Sequence, residues 1–405
     1  MDETKSVPKL RFTGFTEDWK SFKLSEICER ITRKNKSLET DRPLTISAQY
    51  GLVDQIEYFN KIVASKSLIN YYLLNKGEFA YNKSYSNGYP FGAVKRLDNY
   101  EKGAISTLYI CFDVNDKMDS DLLKEYFETD KWYKEIYKIA VEGARNHGLL
   151  NIAVGDFFNT THVLPTNSKE QRKLADFLIQ INKKIELLNK KYQDYQDFKK
   201  YLMQQIFAQK LRFNFIDDWD VVKLETLIEK GKAGGTPPST NPDYYNGEIP
   251  FLSIKDMTEQ GKYIVKTEKS ITEEGLNNSS AWIIPKYSLL YSIYASIGLV
   301  SINLTEVSTS QAIYGIILKE GVSLEYMYYY LTYFKKNIHR YVETGTQGNL
   351  NAKLLKSFEI ALPSVDEQEM IVNILSLVDK KIENMEKEVG KMNEFKKGLL
   401  QQMFI

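Results

Sequence analysis

Two stretches of the chain carry a sustained helical pattern. In the first, apolar residues recur at Leu174, Leu178, Ile181, Ile185, Leu188, Tyr192 and Tyr195, in steps that alternate between four and three. In the second they recur at Ile371, Leu375, Val378, Ile382, Met385, Val389 and Met392, each 197 positions after its counterpart. Steps of four and three mark a coiled-coil seam, so the pattern predicts two long helices that pack on each other, the other reading being two long core helices each within its own domain. After a one-step adjustment, Phe198, Leu202 and Ile206 extend the first, and Phe395, Leu399 and Met403 the second. Neither stretch contains proline, and Gly390 and Gly398 cost a helix only about 1 kcal/mol each. A helix of about 38 residues is roughly 57 Å long. Pro165 and Pro363 stop the preceding segments, and Ser168 with Gln171, like Ser364 with Glu367, fits a capping box.

Elsewhere the period is shorter. Segments 40–115 and 249–318 hold runs with strand character between turn residues. They include Leu44–Ser47, Phe79–Asn82, Ile105–Phe112, Ile249–Ile254, Ser288–Ile293 and Ala312–Leu318. Shorter helical stretches follow at Leu122–Tyr137 and Leu324–Tyr341. The fold class expected is mixed α/β, with two globules joined by the two long helices in an antiparallel coiled coil with internal pseudo-twofold symmetry. The domains would span 1–167 and 210–364, and the helices 168–209 and 365–405.

The chain repeats itself. Leu10-Arg11-Phe12 returns as Leu211-Arg212-Phe213, Asp18-Trp19 as Asp218-Trp219, and Lys23-Leu24 as Lys223-Leu224. Leu164-Pro165 returns as Leu362-Pro363, Glu170-Gln171 as Glu367-Gln368, and Lys183–Glu186 as Lys380–Glu383. From Glu170 to Phe207 the shift holds at 197, so nothing is inserted there. Residues 30–140 and 230–340 show almost no match. Matched ends around unmatched centres suggest one scaffold that presents two different reading surfaces.

At about 150 residues per domain, 405 residues suggest two or three domains. Lys and Arg number 54 against 53 Asp and Glu, a net charge of +1, so any nucleic-acid site must arise from local segregation of charge. Cys28 and Cys111, with His147, His162 and His339, offer neither zinc-ligand spacing nor a disulfide framework and fit a reducing cytoplasm. No apolar run approaches the ~18 residues of a membrane span, and no secretory segment is expected at Met1. Phosphate-binding and dinucleotide loops are missing. Asn241-Pro242-Asp243-Tyr244 reads as a turn rather than an adenine-methyltransferase motif. Glu394-Phe395-Lys396 lies on the second long helix rather than in a nuclease site. No catalytic residue or metal ligand is expected in this chain.

Candidate binding residues lie in polar loops, each of which also reads as a plain solvated turn. In the first half they are Lys83, Ser84, Tyr85, Ser86, Asn87, Tyr89, Lys95, Arg96, Arg145, Asn146 and His147. In the second half they are Lys232, Gly234, Gly235, Thr236, Lys255, Asp256, Tyr294, Ser296, Gln311, Thr346, Gln347 and Asn349. Arg and Lys pair with guanine, and Asn and Gln with adenine, in the major groove. Glycine-flanked loops bring backbone N–H groups close to phosphates.

On the repeated strings above, the chain resembles the specificity subunit of type I restriction–modification systems, of the kind found in Gram-positive bacteria such as staphylococci. Phe79–Ser86 and Gly92–Leu97 look like one class of target-recognition domain, and Gly235-Thr236-Pro237 with Ile249–Leu252 like another. The resemblance implies that each globule reads half of a split DNA sequence. It implies that the helices set the spacing and dock two methyltransferase subunits. A translocase–nuclease subunit would join them, and S-adenosylmethionine, ATP and Mg²⁺ would bind those partners rather than this chain. Two heads in pseudo-twofold relation would address inverted half-sites, with a gap near one helical turn. The other reading of the residues is a coiled-coil adaptor that joins two protein partners without reading DNA.

Overall fold

A computed structural model describes residues 7–61, 67–85, 88–145, 149–213, 215–294, 296–340 and 350–405. The chain divides into two compact units: unit 1 is Met1–Lys190 with Lys387–Ile405, and unit 2 is Lys191–Glu386. Each unit therefore combines one globule with segments of both long helices.

Unit 1 is built around an antiparallel sheet of β1 (Cys28–Ile31), β2 (Phe79–Asn82), β3 (Ala93–Arg96) and β4 (Ile110–Val114), in the order β1-β4-β2-β3. Burial on both faces explains why Phe79, Ala80 and Tyr81 read as a continuous apolar run rather than an alternating one. Helix α1 (Ser120–Tyr126) is capped by Asp119, whose carboxylate accepts the N–H groups of Asp121 and Leu122. The helical stretch expected over Leu122–Tyr137 is broken after Tyr126 and resumes at Tyr133–Ile139. The run Ile105–Phe112 is likewise split between the strand Lys102–Ile105 and β4.

Helix α2 (Ser168–Phe207) begins in unit 1. Its seam residues Leu174 and Leu178 are fully buried in the globule's core with Trp19, Tyr126 and Phe158. Ile181 packs against that core, while Ile185 and Leu188 are half-buried. Leu399, Leu400, Met403 and Phe404 enter the same core. The first turns of one long helix and the last turns of the other thus meet in one unit, an antiparallel relation.

Unit 2 follows the same plan with other elements. Strands β5 (Ile228–Ala233), β6 (Tyr263–Ile264), β7 (Leu289–Ser292), β8 (Val300–Asn303) and β9 (Ile313–Leu318) form a sheet in the order β5-β9-β7-β8-β6. A second sheet pairs Tyr245–Leu252 with Lys269–Ile271 and Ser308–Thr309. Helix α3 (Leu324–Phe334) is capped by the Ser323 hydroxyl and passes into a 3-10 turn at Lys335. Helix α4 (Val365–Met403) brings Ile371 and Leu375 into the core, where Leu202, Met203, Ile206 and Phe207 of α2 join them. Val378 packs against this core, Ile382 is half-buried and Met385 is buried.

The repeated strings form one frame twice. Lys20–Lys23 pairs antiparallel with Thr161–Leu164, and Asp220–Lys223 with Glu359–Leu362. Glu170 receives Arg11 Nε at 2.7 Å, Arg11 Nη2 at 2.8 Å and Trp19 Nε1 at 3.2 Å. Glu367 receives Arg212 at 2.9 and 2.8 Å and Trp219 at 3.0 Å. Gln171 and Gln368 donate to the carbonyls of Pro165 and Pro363. These contacts correct the capping-box expectation. Asn167 caps α2, Ser364 caps α4, and the Glu and Gln side chains tie the segment that carries Arg and Trp, and the globule, to the helix.

Candidate nucleic-acid interface

In unit 1 the chain leaves β2 into Lys83, Ser84 and Tyr85. The Lys83 ammonium donates to Ile152 O at 3.2 Å, and Lys83 O accepts Leu150 N–H at 2.9 Å. Asn82 Oδ1 accepts Ser84 N–H. This loop is thereby held beside Leu149–Asn151, the strand that pairs antiparallel with Val141–Arg145. Tyr85 projects outward, 60% exposed, an open aromatic face of the kind bases stack on. Gly92, at φ +80°, returns the chain to β3; a Cβ there would lie 2.0 Å from Asn82 O. Ser86, Asn87, Asn146 and His147 lie outside the described residues.

Lys95 and Arg96 correct an expectation. Lys95 is buried, pairs with Glu128 at 2.6 Å and sits over the half-buried Tyr89 ring. Burial pushes the Tyr89 hydroxyl up to about 12. Arg96 binds Asp98 at 2.7 Å, Asp121 at 2.8 Å and the Ser120 hydroxyl at 3.0 Å. Both cations are neutralised within the unit, so they hold the globule together instead of facing an open surface. They line a polar cavity of about 260 Å³ with Gln49, Tyr50, Asp98 and Lys124. Tyr50 is 68% exposed at its mouth, and nothing in its sequence context singled it out.

In unit 2 the candidates converge on one end of the five-stranded sheet. The loop after β5 is fixed by Gly234 N–H to Ile313 O at 3.0 Å and Gly235 N–H to Thr309 O at 2.9 Å. A Cβ at Gly234 would lie 2.1 Å from Thr309 O, which explains the glycine. The Thr236 hydroxyl donates to Gln311 Oε1 at 2.6 Å, occupying the amide oxygen and orienting the exposed side chain. Tyr294 joins through its N–H to Ala312 O, and Leu350 through its N–H to Ile293 O. Lys232, Thr236, Tyr294, Ser296 and Gln311 are exposed there. Trp282 donates to Lys232 O at 3.3 Å and carries Lys230 over its ring. The sequence offered no signal for that support beyond the Trp itself.

Lys255 and Asp256 stand apart. Asp256 is buried and completes the capping box of Ile254–Gln260 with Ser253, while Lys255 pairs with Glu268 at 2.8 Å. Asp256 is therefore a structural acid, a second correction. Thr346, Gln347 and Asn349 lie outside the described residues.

His162 and the two cysteines are committed to the interior. His162 is enclosed between the Tyr126 hydroxyl at 3.0 Å and the Thr160 hydroxyl at 2.8 Å, and burial lowers its pKa to about 4. Cys28 and Cys111 are buried and free, and burial raises both thiols, Cys111 to about 12. Among the described residues no group of His, Cys, Asp and Glu could hold a metal ion, and no helix is long and apolar enough to cross a membrane. The chemistry on offer is that of an open surface: donors, amides, backbone N–H groups and aromatic faces.

Residues 216–391 match the type I restriction modification DNA specificity domain. The chain is similar to the type I restriction enzyme MjaIX specificity subunit of Methanocaldococcus jannaschii, 35% identical over 46% of this chain and 44% of that protein. It is also similar to the EcoR124I/EcoR124II specificity subunit of Escherichia coli, 32% identical over 39% of this chain and 41% of that protein. These alignments span less than half of either relative. In fold, it resembles a solved chain from a study of complex assembly and conformational transition of the type I R-M system. The TM-score is 0.62 at 17% identity, covering 95% of this chain and 97% of that one.

Proposed function

We propose, on the premise that residues 216–391 belong to the type I restriction modification DNA specificity domain family, that this chain is the specificity subunit of a type I restriction–modification complex. Each unit reads one half of a bipartite double-stranded DNA target. The chain supplies recognition rather than catalysis. Two copies of a methyltransferase subunit methylate adenine, and translocase–nuclease subunits cut; those partners bring S-adenosylmethionine, ATP and Mg²⁺. The complex works in the cytoplasm. The observation that carries this reading is the pairing of one repeated Arg–Trp–Glu frame with two unlike loop surfaces. A common frame suits a partner present twice, and unlike loops suit unlike half-sites. A net charge of +1 leaves much of the phosphate contact, and of the salt dependence, to the partners.

The test is a genome-wide map of methylated adenines in cells with the methyltransferase partner, with and without this chain. The expected result is loss of one split, asymmetric motif when the chain is absent. An unchanged map, with the partner confirmed to be expressed, overturns the reading.

A further inference from the structure

One polar contact of the frame is not copied by the repeat. Lys199 and Lys396 are equivalent, 197 positions apart, and each reaches a carboxylate within its unit. Lys199 Nζ lies 2.5 Å from Asp379 Oδ1, and Lys396 Nζ lies 3.1 Å from Glu125 Oε2. The two acids are not equivalent. Asp379 is on α4, at the position that Asn182 holds on α2. Glu125 is on the globule helix α1.

The globule helices share a register against the frame. Gln171 Oε1 accepts Asp119 N–H at 2.9 Å, and Gln368 Oε1 accepts Ser323 N–H at 2.9 Å. Counted from Asp119 and Ser323, the N-caps of α1 and α3, Glu125 corresponds to Tyr329. In unit 1 the globule brings the acid and the frame an amide: Asn182 Nδ2 donates to Glu125 Oε1 at 2.6 Å. In unit 2 the frame brings the acid and the globule a phenol: the Tyr329 hydroxyl donates to Asp379 Oδ2 at 2.6 Å. The acid has changed sides while the lysine has stayed. The Glu125 side chain is 2% exposed, so an unmatched charge there has little water to turn to.

We propose that positions 182 and 379 are compatibility keys that determine which globule each frame accepts. A globule with a carboxylate at this place requires an amide on the helix; a globule with a phenol requires a carboxylate. Seating the second globule on the first frame would set Tyr329 against Asn182 and leave Lys396 without a counter-charge. The reverse exchange would crowd Glu125 and Asp379 onto Lys199. The inference concerns seating and stands apart from what the loops read.

The test is a thermal-melting cycle on the full chain with E125Q, N182D and the double variant. E125Q strands Lys396, and N182D sets two carboxylates on one lysine; each is expected to lower the melting temperature by about 3 °C or more. The double variant moves the acid from globule to frame without changing side-chain size and is expected to recover most of the loss. In unit 2, D379N is expected to lower the melting temperature and Y329E/D379N to recover part of it. Unchanged melting of N182D, or a double variant that loses the sum of the singles, overturns the proposal. If Y329E/D379N does not fold, the isosteric unit 1 cycle decides alone.

Discussion

Unit 1 and unit 2 agree where the chain repeats and diverge where it does not, and the agreement extends to single atoms. Arg11, Trp19 and Glu170 in one are matched by Arg212, Trp219 and Glu367 in the other, down to the Arg Nη2 that also reaches the carbonyl of Glu17 or Asp217. The globules they hold differ in strand number, in second sheet and in loop chemistry. Unit 1 offers Tyr85 and a hairpin; unit 2 offers glycine turns, Gln311 and a Trp-backed lysine loop. The lesson is a division of labour: a fixed clamp sets where a globule sits, and the globule is then free to vary on its outward side.

The sharpest way to break this comparison is at the clamp. E170Q and E367Q each leave a largely buried guanidinium without its counter-charge, and each is expected to cost about 3 kcal/mol in urea unfolding. Losses that differ by more than about 1 kcal/mol would show that the two clamps are alike in form only.

Acid should separate the units next. His162 lies opposite Phe22, and Ile360 takes the corresponding place opposite Val222. The pKa of His162 falls from the usual value near 6.5 to about 4 in the folded unit. The unfolded chain therefore binds the proton first. The stabilisation is complete above pH 6.5, declines as pH falls towards 4 and levels off below it, amounting to about 3 kcal/mol. Hydrogen exchange between pH 7 and 4.5 should loosen the amides around Thr160–Leu164 and spare Glu359–Leu362. Equal loosening would remove the distinction.

A smaller effect should be confined to one reading surface. G234A drives a Cβ into Thr309 O and is expected to cost about 1–3 kcal/mol. In the methylation map it should relax one half-site and leave the other. Relaxation of both would mean that the loops are not independent readers.

Legibility followed the same divide. The long helices, the repeat and most strands of the sheets could be read from period and turn residues. The Glu-Gln pair was visible as a repeat, but its role was not. A capping signal uses the same residue types, and only the fold shows that Glu170 is claimed by Arg11, 159 residues away. Lys95, Arg96 and Asp256 looked available because sequence shows charge but not the partner that cancels it. Gln311 and Thr236 were each visible, yet the bond between them depends on two loops that meet only at the end of the sheet.

The core of unit 1 contains Leu399, Leu400, Met403 and Phe404 beside Trp19, Tyr126 and Phe158. During synthesis the first globule therefore emerges long before its last core residues exist. About 240 residues separate Phe158 from Leu399, a wait of roughly 12–50 s at ordinary translation rates. In that interval Trp19 and Tyr126 lack part of their cover, while Lys191–Glu386 can already assemble. The half made first is finished last, and a ribosome that stalls late leaves an open apolar surface on the nascent chain.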